Sequence, residues 1–450
     1  MIRRLWLSLC GSVALLVGLL SSAAGAQAAG QLLSAGSTGI SGTQFFAVTG
    51  QGDGRIVAAG ESGGAQLIVA RFNASGSLDT SFGSGGIAYG PSLSTGTVGR
   101  GVAVDSSGNI LVAGQLTNGF ANSGMLLERF TAAGRLDGRF GAGAGAGGVA
   151  TALGANCGAA FSIALQGNGD IVLGGSGCPT SGKSVTALAR FTPGGALDPS
   201  FGGGGTVLQD LGDFSVAYGV AVDADGKIVI AGSQRPGGQV PNGIAARFNS
   251  NGSLDFFFQQ YPANGSGSIE FRGVALQGTD IALAGATPNS SGSSAIVVRL
   301  NGAGQRDPSF NAGNPVYLAA TAPSLTQPPA APYPGAYGVA VSGGDIIAGG
   351  FILNTAQLDE PALWALGPSG SLDKSFGSGG VVFSSVAPDS GELGALTVSS
   401  ADGSILAAGS SSPVNGFPTG LVARYGGSPA LPPPPPPPPP PVAVLPPPPP

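Results

Sequence analysis

Seven copies of one two-part segment, turn chemistry at matching places in each copy and no sustained helical periodicity predict an all-β chain, a seven-bladed β-propeller. The period is roughly 58 residues. The cleanest copy runs Gly101-Val-Ala-Val-Asp-Ser-Ser-Gly-Asn-Ile-Leu-Val-Ala-Gly114, then Met125-Leu-Leu-Glu-Arg-Phe-Thr-Ala-Ala-Gly-Arg-Leu-Asp137. A sheet of about four strands cannot hide both of its faces alone, and standing several side by side around an axis leaves only short edges.

The first half of each copy reads as a hairpin ending at Gly60, Gly114, Gly175, Gly232, Gly285, Gly350 and Gly409. Its turns are Asp53-Gly54, Ser107-Gly108, Asn168-Gly169, Asp225-Gly226 and Asp402-Gly403, flanked by β-branched residues. The second runs, such as Ile110-Leu-Val-Ala and Ile228-Val-Ile-Ala, are continuously apolar, so both faces of those strands are expected to be covered.

The second half carries Arg71, Arg129, Arg190, Arg247, Arg299 and Arg424. Eight residues after the first five of these stand Asp79, Asp137, Asp198, Asp255 and Asp307; copy six keeps Asp373 but has Ala365 where the Arg belongs. Three residues past each Asp comes a Phe: Phe82, Phe140, Phe201, Phe258, Phe310 or Phe376. The spacing implies a rigid turn in which the carboxylate accepts backbone N–H groups, the Arg satisfies the rest of it and the Phe anchors it. These are structural charges.

The Ile-Leu-Val-Ala-Gly, Arg-Phe and Leu-Asp-x-Ser-Phe-Gly-x-Gly-Gly pattern resembles the delta-60 repeat family over about residues 45–425. That family consists of β-propellers inferred from sequence, mostly of unassigned function, in secreted bacterial proteins. The resemblance implies the fold and brings no active site with it.

Along the chain, residues 1–29 read as a signal peptide, with Arg3 and Arg4, an apolar stretch from Leu5 to Leu20, and Ala24-Gly-Ala26 or Ala26-Gln-Ala28 for cleavage. Secretion or display on the cell surface or envelope follows, with no transmembrane segment once the leader is gone. The propeller is assigned to 30–427. Losing the two leader arginines takes the formal charge from −5 to −7, and charged residues make up 9% of the chain with Lys and Arg scattered, so no nucleic-acid footprint is present. The last copy lacks the Leu-Asp-x-x-Phe-Gly half, and Gln31-Leu-Leu-Ser34 is expected to supply the missing strand. Cys157 and Cys178 are symmetric about the turn Gln166-Gly-Asn-Gly169, which places them at the ends of paired strands and predicts a disulfide in an exported chain. From 428 to 450 the composition is that of an extended polyproline spacer or tail.

The repeat breaks in two places. Copy four has Phe256-Phe257-Phe258-Gln-Gln-Tyr261, and a Pro-rich insertion from Ala319 to Gly335 leads into Tyr333-Pro-Gly-Ala-Tyr337. Insertions in repeat proteins map to one loop face, and surplus aromatics suit recognition. Phe256, Phe257, Tyr261, Tyr333 and Tyr337 are therefore the candidate binding residues for a protein or glycan partner.

Histidine is absent, which removes Ser–His–Asp and Cys–His systems and His-ligated metals. No phosphate-cradling loop is present, and Asp223-Ala-Asp225-Gly226 lacks the further ligands of a Ca²⁺ loop. No cofactor or metal is expected, nor an oligomer. Asp359-Glu360 reads as a solvated pair. The expectation is a non-enzymatic recognition scaffold; the alternative is a carboxylate-based glycosidase or lyase in the propeller channel.

Overall fold

The computed structural model describes residues 28–429 apart from 65, 92–95, 119–120, 142–147, 152, 154–157, 180–182, 239, 262–267, 288–293, 320–334, 354–357, 385–389 and 412–415. Most of the expected signal peptide (residues 1–27), the proline run, Cys157 and Tyr333 lie outside the described residues. The chain forms seven four-stranded antiparallel sheets. In blade 1 the strands Thr43–Gly50, Ile56–Ser62, Gln66–Phe72 and Ile87–Tyr89 pair in chain order from the axis outward. The other innermost strands are Gly96–Val104, Ala159–Leu165, Val216–Val222, Glu270–Gln277, Gly335–Ser342 and Gly391–Val398, each touching the next around a closed circle.

Blade 7 closes that circle. Its fourth strand is Leu32–Ser41 from the other end of the chain, paired with Thr419–Tyr425. Thr43 ties the seam together: its hydroxyl donates to the Ile40 carbonyl (2.7 Å) and accepts the Gly420 N–H (2.7 Å).

The continuous apolar runs occupy the second and third strands, and their two faces serve two different cores. In blade 1, Val57, Ala59 and Val69 pack against Val102, Ile110 and Val112 of blade 2. Ile56, Ala58 and Ile68 pack against Leu406, Ala408 and Val422 of blade 7. Each fully buried aliphatic side chain contributes about 1.5–3 kcal/mol, so no blade is stable without both neighbours.

The repeated Arg, Asp and Phe build the joint between blades. Arg71 Nε donates to Asp79 (2.9 Å), whose other oxygen accepts the Ser81 N–H (3.1 Å). The Arg71 guanidinium stands 4.7 Å above the buried Phe82 ring and reaches the Ala132 carbonyl of blade 2 (2.6 Å). A Cβ on Gly134 of blade 2 would meet the Phe82 ring at 2.9 Å, and this glycine also has φ +80°, so no other residue fits. The pair recurs at Arg129–Asp137, Arg190–Asp198, Arg247–Asp255 and Arg299–Asp307. Where copy seven lacks the Asp, Arg424 turns to Asp402 and Ser404 of its own hairpin. Asp373, without an Arg, takes the Ser375 N–H (3.0 Å) and hydroxyl.

Copy four departs from the spacing. It lacks the Phe-Gly turn, so its outer strand Leu254–Gln260 begins directly at the Leu-Asp pair. The ring beneath Arg247 is then Phe256, at 4.9 Å, rather than Phe258, and Gly304 of the next blade closes onto it.

Candidate functional site: the channel mouth

The glycine that ends each hairpin sets the site. A Cβ on Gly114 would sit 1.9 Å from the Val98 carbonyl oxygen, and Gly60, Gly175, Gly232, Gly285, Gly350 and Gly409 meet the same obstruction. The obstruction exists because the innermost strand bulges there. Gly99 pairs with Gly114 and Gly101 with Ala113, which leaves Arg100 unpaired between them. The same shift isolates Phe46, Phe161, Tyr218, Arg272, Tyr337 and Gly394 in the other six blades. Seven bulges therefore present seven residues to one mouth of the channel.

Together they line a recess of about 460 Å³, joined by Gln44, Phe351 and Glu392. Below it, Val48, Val102, Ile163, Val220, Val274, Val339 and Leu396 form an apolar collar that separates this mouth from the opposite one.

The ring is a set of cations held on aromatic faces. Arg100 lies 4.1 Å over Phe46, and Arg272 lies 4.0 Å over Tyr218 and 5.8 Å from Tyr337. Phe161 meets Tyr218 edge to face at 5.5 Å, and Tyr337 stacks on Phe351 at 5.6 Å. Arg272 Nη2 donates to Glu270 at 2.5 Å. Burial works against the charge of Arg272, and Tyr218, Glu270 and Tyr337 more than offset it, leaving its pKa raised. Arg100 has no such support: burial lowers its pKa, only Glu61 opposes this, and Arg272 adds to it. Its Nε is buried with no hydrogen-bond partner among the described residues.

The carboxyl groups here behave differently from those of the joints. Burial, and secondarily the nearby Asp359, push Glu392 above the usual carboxyl range, with the Ser410 hydroxyl at 3.3 Å partly opposing. Asp359 is raised by its own burial, and its N–H donates to Ser390 Oγ at 3.2 Å. The expectation of a solvated Asp359-Glu360 pair is thus corrected: Asp359 opens the strand Asp359–Leu366 beside the mouth. At the joints the trend reverses, as the Ser200 N–H and hydroxyl and Arg190 hold Asp198 below the usual range.

Of the five candidate binding residues, Tyr337 lines the mouth. Phe256 packs under Arg247, while Phe257 and Tyr261 are exposed on or beside the outermost strand of blade 4, far from the axis in the sheet order. Tyr333 lies outside the described residues. Asp223 is a turn residue whose Oδ1 accepts the Asp225 and Lys227 N–H groups. Cys178 is buried, and its N–H donates to the Leu153 carbonyl. No helix among the described residues is long and apolar enough to cross a membrane. Phe46, Arg100, Phe161, Tyr218, Arg272 and Glu392 were not singled out from the sequence. Their signal is positional: each ring residue stands two places before the residue equivalent to Val102, and this position and the one two before it (Gln44, Val98, Ala159, Val216, Glu270, Gly335, Glu392) change chemistry from copy to copy.

Among known proteins, the family model of a β-propeller domain of unknown function, DUF5122, matches residues 51–82, 166–201, 224–255 and 400–426. No curated protein matches the chain. Among solved structures the propeller is similar to a polysaccharide lyase, Uly1, at 12% identity and TM-score 0.44, covering 85% of this chain and 90% of that one. It is also similar to the Trypanosoma rangeli sialidase, at 11% identity and TM-score 0.41, covering 88% of this chain and 58% of that one. A third is a GH43_1 enzyme from Xanthomonas citri, at 11% identity and TM-score 0.34, covering 73% of this chain and 87% of that one. The expectation of a non-enzymatic scaffold is corrected: the similar solved structures are a polysaccharide lyase, a sialidase and a GH43_1 enzyme. At such identities the likeness is one of fold alone, and any chemistry has to come from the mouth itself.

Proposed function

We propose that the protein is a carbohydrate-active enzyme that cleaves a glycosidic bond at the channel mouth, with Glu392 as the proton donor. One observation carries this reading: a carboxyl group whose pKa burial raises above the usual range stands in a recess lined by aromatic faces and two arginines. A general acid needs a raised pKa to hold its proton near neutrality. In hydrolysis the bond between the anomeric carbon and the bridging oxygen breaks, Glu392 gives its proton to that oxygen, and water adds to the anomeric carbon. The proton water loses goes to a second carboxylate, for which Glu270, ion-paired to Arg272, is the candidate. Phe46, Phe161 and Tyr218 supply apolar faces for sugar rings.

Release of reducing ends from a polysaccharide panel tests it. Glu392→Gln is expected to lower the rate by about 10²–10⁴-fold with the melting temperature retained. Wild-type activity should fall as pH rises through the raised Glu392 pKa, since the acid form is the working one. No release from any polysaccharide, or full activity of Glu392→Gln, rejects the assignment.

We further infer that the chain is exported, that it is a delta-60 repeat protein, and that Cys157 and Cys178 are joined. Ala29 supports leader cleavage before it rather than after, because its carbonyl accepts the Gly377 N–H (3.0 Å) and it packs into the core between blades 6 and 7. The intact mass of the unreduced secreted protein is expected to match a start at Gln27 or Ala29 less two hydrogens. A retained leader, or a mass that includes both hydrogens, counts against the corresponding part.

A further inference from the structure

The joint arginines have no spare capacity: Arg71 and Arg190 each hold an Asp and a neighbouring blade's carbonyl. Arg100 is built otherwise. It forms no ion pair among the described residues, one face lies on Phe46, and its Nε is buried without a partner there. A desolvated guanidinium whose charge is opposed only by Glu61, with no ion pair formed, is costly to keep, and it stands at the rim of a recess. Arg272 is only partly committed, with one donor on Glu270 and a face on Tyr218.

We propose that the mouth takes an acidic sugar, a hexuronate, whose carboxylate is held by Arg100 and Arg272 while its ring lies on the neighbouring aromatics. This rests on the reading of the mouth as a carbohydrate site and names its substrate class. Four observations support it. Two of the seven ring positions are arginine in a chain with only 18 Lys and Arg in 450 residues. The planar guanidinium fork matches a planar carboxylate through paired hydrogen bonds. Burial works against the charged form of Glu392, which lessens its repulsion of an incoming anion. Finally, the chain carries a formal charge of −5, so polyanions have no general attraction to it and binding must be local.

The test is calorimetric titration of the full secreted protein with galacturonate, glucuronate and mannuronate trisaccharides, beside galactotriose and its sulfate ester. At least one uronate is expected to bind about tenfold or more tightly than galactotriose, with an affinity that falls as salt rises. Arg100→Gln should weaken that uronate by about tenfold or more and leave galactotriose within about twofold, while Arg100→Lys falls between. Equal melting temperatures exclude a folding defect, and Arg100→Lys, which keeps charge and bulk, decides the matter if Arg100→Gln does not fold. Uronates that bind no better than galactotriose, a sulfate ester that outbinds every uronate, or an unchanged Arg100→Gln affinity would each overturn the assignment. The two readings fail separately: uronate binding with no bond cleaved keeps the substrate class and removes the enzyme, whereas cleavage confined to neutral polysaccharides does the reverse.

Discussion

The arginines of the blade joints and those of the channel mouth are held in opposite ways. At a joint, Arg190 Nε reaches Asp198 at 2.7 Å, its Nη2 reaches Ser200 and its Nη1 the Ser250 carbonyl, and four other copies repeat the Arg–Asp pair. At the mouth, Arg100 and Arg272 are the only arginines among seven equivalent ring positions, and they rest on aromatic faces with unequal carboxylate support. The joint repeats because every blade must meet its neighbour in the same way. The ring varies because the bulge turns its residue away from the blade packing, and no neighbour constrains what stands there.

The largest effect expected concerns the frame that holds both sets. A chain starting at residue 45 loses the strand Leu32–Ser41 and the Thr43 link to Gly420. Its melting temperature is expected to fall by more than about 10 °C. A calorimetric scan unchanged from the intact chain would mean that closure does not set the geometry of joint or ring.

Next comes a charge that breaks the repeat without being at the mouth. Glu128 occupies a position held by Ala in four other copies, is fully buried, and has both oxygens without a partner among the described residues. Burial pushes its pKa up to about 8, so the folded state holds the acid form. Its contribution is full below the unfolded carboxyl pKa and is lost as pH rises through about 8, at up to about 1.4 kcal/mol per unit. Glu128→Gln keeps the shape and removes the titration, so its stability should be flatter between about pH 5 and about pH 9 by denaturant titration. Identical slopes for the two proteins would count against a buried acid.

The smallest effects draw the contrast most finely. Arg190→Ala leaves Asp198 short of a partner and should cost about 2 kcal/mol, below the ~3–5 kcal/mol of a fully buried pair because the turn lies near water. Arg100→Gln should change stability by less than about 1 kcal/mol, since it removes a cation with no ion pair. Equal costs in urea melts would show that mouth and joint arginines are structural alike.

The joint was legible in the sequence because its parts lie within one copy. Arg and Asp eight residues apart, and a Phe three further on, predict a turn whatever the rest of the chain does. Phe256 shows the limit: losing the glycines moved the anchor by two residues, which spacing alone did not reveal. The mouth was not legible. Arg100, Tyr218 and Arg272 belong to three different blades and come together only around the axis, and Asp359 acquires its burial from that neighbourhood.

By itself, then, the chain determined the repeated local chemistry: apolar runs at strand spacing, turn residues between them, and charges that pair within a few residues of each other. Only the closed ring decided which residues share a recess and which carboxyl groups are desolvated. Those properties depend on side chains brought near one another from distant copies, and on the water their meeting displaces.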